Sequence, residues 1–284
     1  MKKHFKDLLA ESIEIWFRED IGDGDHTTLA TIPEDTTGKA RLVSKDHGII
    51  AGISIAEHVY HRFDPDLKMN CLIPDGSEIH PGNIVFEITG RVRSILQMER
   101  LVLNILQRMS GIATQTSEYM KLIEGLPTKI LDTRKTTPGF RYIEKEAVRL
   151  GGAENHRVGL FDMILIKDNH IDFAGGIEQA IRQSKKYLEK TGKTLKIEIE
   201  ARNMSDVERI MKEGGIDIIL LDNFTLEQTR TAVNFINHRV QTESSGKITR
   251  ENIREYASCG VDFISVGALT HQIKSLDLSL KAIY

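Results

Sequence analysis

The chain has 284 residues, 40% of them apolar and 28% charged, with a net charge of −3. Such a length holds one large domain or two modest ones, and the balance is that of a globular protein. No apolar run approaches the roughly eighteen residues of a membrane-spanning helix, and the negative net charge argues against nonspecific nucleic-acid binding. A small anionic ligand in a local cationic pocket stays compatible with that charge. Cys71 and Cys259 stand alone, with no metal-ligand spacing around them, which reads as structural thiols in a reducing cytoplasm. The N-terminus, MKKHFKDLLAESIEIW, is too acidic and too helical in period for a signal peptide.

Residues 4–19 place Phe5, Leu8, Leu9, Ile13, Ile15, Trp16 and Phe17 at roughly helical spacing. The acidic, glycine-rich stretch Glu19–Asp25 comes next. It lacks the distal carboxylate of an EF-hand loop and reads as a loop that ends the helix. From Gly38 to Gly90 the texture is β-rich: strands are expected over 40–44, 47–53 and 84–92, a helix over 54–62, and turns at Asp75-Gly76 and Pro81-Gly82. Residues 94–111 read as a strong helix with an apolar face through Ile95, Met98, Leu101, Val102, Ile105, Leu106 and Met109. Arg100, Asn104 and Arg108 recur every four residues on another face. Such a stripe is either solvated or turned towards a partner subunit.

Beyond residue 128 the pattern becomes a βα repeat. Short apolar runs end at Leu131, Ile166, Ile199, Leu221, roughly Gln241, and Val266; helix-like segments fall at 142–150, 176–189, 205–213, 225–237 and 249–258. This length is short of the roughly 250 residues of a closed eight-stranded barrel, so an open, incomplete α/β barrel is expected. The predicted organisation is a smaller α/β sandwich domain over 1–110 and the open parallel α/β barrel over 111–270, with 271–284 able to pack back on the first.

The residues just after each apolar run carry the chemistry. Leu131 leads to Asp132, Arg134 and Lys135; Ile166 to Lys167, Asp168, Asn169 and His170; Ile199 to Glu200; Leu221 to Asp222 and Asn223; the fifth run to Glu243, Ser245 and Gly246; the sixth to Gly267. In parallel βα folds the carboxyl ends of the strands converge on one rim, where active sites form. Residues 129–170 hold eight Lys/Arg against six Asp/Glu, so composition alone would describe an ordinary solvated surface. Four strands in series, each ending in a charged residue, point to a functional rim instead. Its cations, Arg134, Lys135, His156, Arg157 and Lys167, suit carboxylate and phosphate ligands. Its carboxylates, Glu200 and Asp222, could do acid/base work, hold a divalent metal, or stabilise a cationic transition state. Oxygen ligands without a Cys or His pair favour magnesium over zinc. Ser245-Gly246 and Gly267-Ala268 offer small residues where backbone N–H groups can cradle a phosphate. Lys167 could also be a Schiff-base nucleophile, but its polar neighbours Asp168 and His170 favour anion binding.

Taken together, these residues resemble the quinolinate phosphoribosyltransferase family. The resemblance rests on EDIGDGDHTT near the N-terminus, Glu99-Arg100 with Leu103-Asn104 and Gln107-Arg108, Ser110–Thr114, LDTRKTTPG, GG-x-x-NHR, LIKDNH, Glu198-x-Glu200, Leu221-Asp222-Asn223 and SVGALTH. It implies an N-terminal α/β open sandwich plus an open α/β barrel, in a homodimer or larger assembly. It implies the conversion of quinolinate and phosphoribosyl pyrophosphate to nicotinate mononucleotide, pyrophosphate and carbon dioxide, with Mg2+, in NAD biosynthesis. By position, Arg134, Lys135, His156, Arg157 and Lys167 would bind quinolinate carboxylates and neighbouring phosphates, with Lys135 and Lys167 among the catalytic groups. Glu200 and Asp222 would face the ribose and its metal, Ser245, Gly246 and Gly267 would line the phosphate site, and Arg100 would reach a neighbouring subunit's pocket. One departure stands out: the family's E-A-S-G-G loop reads Glu243-Ser244-Ser245-Gly246-Lys247 here. A homologous enzyme for another acid departs at the LIKDNH lysine, whereas Lys167 is intact. A silent scaffold would tolerate loss of the carboxylates, and both are present.

Overall fold

The computed structural model describes residues 2–283, with side chains from residue 7; Phe5, expected on the buried side of the first helix, lies outside the described side chains. The chain divides into two compact units: residues 1–117, 137–152 and 272–284, and residues 118–136 with 153–271. The stretch 137–152 thus leaves the barrel for the first unit. Among the described residues no helix is long and apolar enough to cross a membrane.

The first unit begins with α1 (Lys2–Ile21), α2 (His26–Thr31), β1 (Thr37–Ser44), β2 (Gly48–Ile49), α3 (Ile53–Phe63), β3 (Lys68–Cys71), β4 (Glu78–Ile79), β5 (Ile84–Arg91) and α4 (Val92–Leu122). Helix α1 ends at Ile21, so the loop expected over Glu19–Asp25 is kept from Gly22 to Asp25; the Asp25 carboxylate then accepts the Thr28 N–H at 3.0 Å and starts α2, a helix that the sequence pattern does not announce. The strand expected over 47–53 shrinks to two residues, because Gly52 turns the backbone at φ +105° and α3 starts directly after it. The Asp75 carboxylate accepts the N–H groups of Gly52, Ile53 and Ser54 at 2.6, 2.8 and 3.1 Å, capping α3 from across a loop. Strands β1, β5 and β3 form an antiparallel sheet, and the C-terminal strand Leu278–Ile283 pairs on the free side of β1. Helix α4 buries Ile95, Met98, Val102, Ile105, Leu106 and Met109, each contributing about 1.5–3 kcal/mol relative to exposure.

The polar stripe on α4 divides. Arg100 and Asn104 are exposed, whereas the Arg108 guanidinium binds the fully buried Glu144 carboxylate at 2.6 Å and Thr137 Oγ1 at 2.8 Å. Arg108 is therefore structural: it neutralises a buried charge and ties 137–152 to α4.

The second unit is a six-stranded parallel sheet with helices between its strands. Its elements are β6 (Lys129–Leu131), β7 (Ile164–Ile166), α6 (Asp168–Ala174), α7 (Ile177–Thr191), β8 (Ile197–Ala201), α8 (Met204–Glu213), β9 (Ile218–Asp222), α9 (Leu226–Ile236), β10 (Gln241–Ser245), α10 (Ile253–Ala257), β11 (Phe263–Ser265) and α11 (Ala268–His271); α5 (Arg141–Leu150) follows β6 in the chain but belongs to the first unit. The strand order β6-β11-β10-β9-β8-β7 leaves β6 and β7 unpaired with each other, so the barrel is open. Glu154 bridges to Leu131 on the outer side of β6.

Alternation along the strands separates two faces. Ile166, Ile197, Ile199, Ile219, Leu221 and Ile264 are all at most 4% exposed; α7 packs on β7, α8 on β8 and α10 on β11. The residues between them, Leu165, Glu198, Glu200, Leu220, Asp222, Glu243, Ser245 and Ser265, share the opposite, inward face. The fifth strand, expected to end near Gln241, instead begins there. Glu243 and Ser245 are therefore strand residues, aimed by the pleat rather than by a loop.

Candidate active site

At the carboxyl ends of these strands lies a cavity of about 550 Å³, a size typical of small-ligand sites. Arg134, Lys135, His156, Arg157, Lys167, Glu200, Asp222, Ser245 and Gly246 all line it, together with Asn223 and Lys247. Gly267 stands beside the lining: a Cβ there would come within 3.1 Å of Lys135 Cδ, so its small size lets the lysine stem pass. Arg100 belongs to α4, in the other unit, and is exposed.

Lys135 is presented by its backbone. Its N–H donates to Thr133 Oγ1 at 3.0 Å, and its carbonyl accepts from Thr270 Oγ1 at 2.7 Å. Lys167 and Glu200 form a pair across β7 and β8, with Nζ 3.5 Å from Oε1. The segment after Lys167 is helix, not loop. The Asp168 N–H, in the first turn of α6, donates to Glu200 Oε2 at 2.9 Å, and the Lys167 N–H donates to His170 Nδ1 at 3.0 Å. Glu200 is thereby held in one orientation. Lys167, 47% exposed and beside a carboxylate, lacks the apolar setting that an amine nucleophile requires. Asp222 closes β9, and its Oδ2 accepts from Asn223 Nδ2 at 2.8 Å. In register, Asp222 lies beside Ser245 and Glu200 beside Leu220.

Beneath the rim is a layer that the strand-end pattern leaves without a role. Glu198 and Glu243 are 0% and 1% exposed. The His156 ring sits between them, with Nε2 2.9 Å from Glu198 and 3.5 Å from Glu243. His156 Nδ1 accepts the Arg157 N–H at 2.7 Å, so the ring proton sits on Nε2, facing the carboxyls. Both ring nitrogens are thus engaged within the protein, and the histidine acts as a pillar under the pocket. Burial pushes the pKa of both carboxyls well up; the neighbouring Glu198 adds to the rise at Glu243, and Glu200 adds to it at Glu198. Buried Asp132 accepts the His156 N–H at 2.9 Å and fixes this segment from below. Arg157 is 8% exposed, and burial and the nearby Arg134 lower its pKa, opposed by Glu198, Asp162 and Glu200. A concealed strand signal could have revealed this layer: Glu198 and Glu243 each precede a rim residue by two positions, hence share its face.

A model of the quinolinate phosphoribosyl transferase C-terminal domain matches residues 112–281, and one of its N-terminal domain matches residues 25–110. The chain belongs to the quinolinate phosphoribosyltransferase family. A relative from Nicotiana tabacum, "Quinolinate phosphoribosyltransferase [decarboxylating] 1b", is 42% identical over 284 residues, covering 95% of this chain and 81% of the relative. A "Probable nicotinate-nucleotide pyrophosphorylase [carboxylating]" from Synechocystis sp. is 39% identical, covering 95% and 91%. The solved structure of the nicotinate-nucleotide pyrophosphorylase from Francisella tularensis superposes with a TM-score of 0.91 at 40% identity, covering 98% of this chain and 96% of that one.

The departure from the family's loop has a structural counterpart. Lys247, where the family pattern has glycine, adopts φ +54°, a left-handed conformation that costs a residue with a Cβ roughly 1–2 kcal/mol. Gly246 cannot be varied so easily: at φ +91°, a Cβ there would collide with Asn223 Oδ1. Lys247 thus adds a cation to the lining at the expense of backbone strain.

Proposed function

We propose that this chain binds quinolinate with the cations of the cavity and phosphoribosyl pyrophosphate along its carboxylate and small-residue side. The reaction yields nicotinate mononucleotide, pyrophosphate and carbon dioxide. The observation that carries this reading is the division of one cavity into two chemistries: Arg134, Lys135, Arg157 and Lys167 beside Glu200 and Asp222. Two adjacent ring carboxylates require several directed cations, which guanidinium and ammonium groups supply. Departure of pyrophosphate develops positive charge on the ribose ring, and Glu200 and Asp222 carry the sign that stabilises it. The pyridine nitrogen then bonds to the anomeric carbon. The adjacent carboxylate departs as carbon dioxide, the electron pair of the broken C–C bond stays on the ring carbon beside the positive nitrogen that stabilises it, and a proton from water then takes the carboxylate's place. The protein supplies no nucleophile; its cations hold the substrate while the ring nitrogen becomes positive.

Mg2+ fits the donor set. Glu200 and Asp222 are hard oxygen ligands at the ends of neighbouring strands and would hold the ion together with the phosphorylated substrate. When bound, the ion would neutralise pyrophosphate charge. The His156–Glu198–Glu243 set is only 0–8% exposed, and its polar atoms are turned towards one another.

Ser245 and Gly246 would receive the phosphate, with Gly267 giving Lys135 room beside it. We further propose a homodimer or larger assembly in which exposed Arg100 completes a neighbouring subunit's pocket. The two free cysteines suit a reducing cytoplasmic setting, although Cys71 is exposed and only Cys259 has the buried position of a structural thiol. The test is turnover with both substrates, tracking release of the labelled 2-carboxylate and of pyrophosphate. Equimolar release is expected. Quinolinate binding without turnover would reduce the protein to a ligand-binding relative.

A further inference from the structure

We propose that His47, Glu78 and His80 form a surface site for a divalent transition metal of the Zn2+ class, separate from the cavity chemistry. Strand β2 runs antiparallel to β4, with Gly48 opposite Ile79 and Ile49 opposite Glu78. Extending that register by one residue sets His47 opposite His80. Glu78 lies in β4 and His80 follows its last residue, and both are exposed on either side of the buried Ile79, so they project from the same face. Three ligands therefore converge from one face of one ladder.

The distances agree. His47 Nε2 lies 2.8 Å from Glu78 Oε1, the two imidazole rings are 4.9 Å apart between centroids, and one ligand atom from each residue lies within 4.8 Å of the others. Ligand atoms in a tetrahedral zinc shell are about 3.3 Å apart, given metal–ligand bonds near 2.0–2.1 Å. The His47–Glu78 separation is shorter than that value and none of the three exceeds 4.8 Å, so small rotamer changes would close the set. As an ion pair alone, a half-exposed His–Glu contact contributes little.

The backbone under the ligands is fixed, which a useful site requires. The His47 N–H donates to Asp46 Oδ1 and the His80 N–H to Asn83 Oδ1, both at 2.9 Å. The Ile49 N–H donates to Thr114 Oγ1 at 2.8 Å, and a Cβ on Gly48 would collide with that same hydroxyl, so β2 lies directly against α4. The turn after His80 is closed by the Asn83 N–H to the His80 carbonyl at 3.0 Å, and by the Gly82 N–H to the Ser44 carbonyl at 2.8 Å. Two imidazoles and one carboxylate select Zn2+, Co2+, Ni2+ or Cu2+ over Mg2+, and leave a position open for water. A bound ion would clip β2 to β4.

The test measures Zn2+ uptake by equilibrium dialysis with elemental analysis, on the full chain and on its His47→Ala/His80→Ala variant. The cavity carboxylates and the buried His156 cluster are intact in both, so their uptake cancels. The wild-type protein should hold one further equivalent. Glu78→Gln should weaken that equivalent by at least about 10- to 100-fold, the cost of losing even an outer partner of a metal ligand. Co2+ loading should give visible d–d bands that the double variant lacks. The three side chains lie on the surface, so the variants keep the fold, checked by circular dichroism; single His80→Ala serves if the double variant does not. Equal uptake by wild type and variant, or no uptake by wild type at millimolar Zn2+, overturns the site.

Discussion

Lys135→Ala separates substrate binding from folding more cleanly than any other change at the rim. Lys135 is exposed, and its hydrogen bonds to Thr133 and from Thr270 are made by backbone atoms that alanine retains. Truncating the side chain should therefore change stability by no more than about 0.5 kcal/mol, as at ordinary surface positions. That is roughly 1–2 °C in Tm for a protein unit of this size. A charge-assisted contact to a quinolinate carboxylate contributes about 1.5–3 kcal/mol, so affinity should fall roughly 10- to 150-fold. Calorimetric titration with quinolinate gives the second number and thermal melting the first. A folded variant with unchanged affinity refutes the role of Lys135. A drop of many degrees in Tm would mean the lysine stem beside Gly267 serves packing instead.

Asp222→Asn keeps the hydrogen-bonding shape but removes charge, so turnover should fall about 100- to 1000-fold while quinolinate affinity changes little; equal losses would mean Asp222 organises the whole pocket. Glu243→Gln addresses the buried pair. Because the native carboxyl keeps its proton to higher pH than the unfolded one, folding takes up a proton, and stability falls as pH climbs from the ordinary value of 4.5 to above neutrality. The variant should flatten that fall, and an unchanged pH profile of Tm would discount the raised pKa. Arg100→Ala and Lys135→Ala homodimers should each be nearly inactive. Mixed under exchange, with half the dimers hybrid and one of two sites intact in each, they should recover roughly a quarter of wild-type activity. Hybrids shown to form without recovery would confine Arg100 to its own chain or to no site.

The barrel and its rim were legible because each strand carries two independent signals. In Ile197–Ala201 and Ile218–Asp222 the outward positions are mostly Ile or Leu, and a charged residue, Glu200 or Asp222, stands at or next to the carboxyl end. Positions that depend on one backbone angle or one distant partner were not legible. Gly52 decides where β2 stops, Asp25 starts α2 through its own side chain, and Glu200 caps α6 from another strand. Arg108 resembled a solvated residue because its partner, Glu144, lies 36 residues away. Glu198 was hidden for a different reason, and Glu243 was placed on the rim only because the fifth strand begins, rather than ends, near Gln241. The residues immediately after the apolar runs mark the rim, but not the layer one pleat below it.

That lower layer explains why the barrel interior is not filled with branched apolar side chains, as barrel interiors commonly are. Burying Glu198 and Glu243 carries a desolvation cost, visible in the raised pKa of both. Apolar residues of similar volume would remove that cost. They would also remove the partners that face His156 Nε2, and through the 2.7 Å contact from the Arg157 N–H to His156 Nδ1 they would loosen the backbone carrying Arg157. A guanidinium gripping a planar carboxylate tolerates little angular freedom. Leu220 pairs with both Glu200 and Glu243 and stands between them on β9. The rim charges are thus left facing the cavity while the lower charges face one another. Stability given up in the lower layer holds the backbone of Arg157 in place, as expected if this cavity is the site where a local folding rule is broken for function.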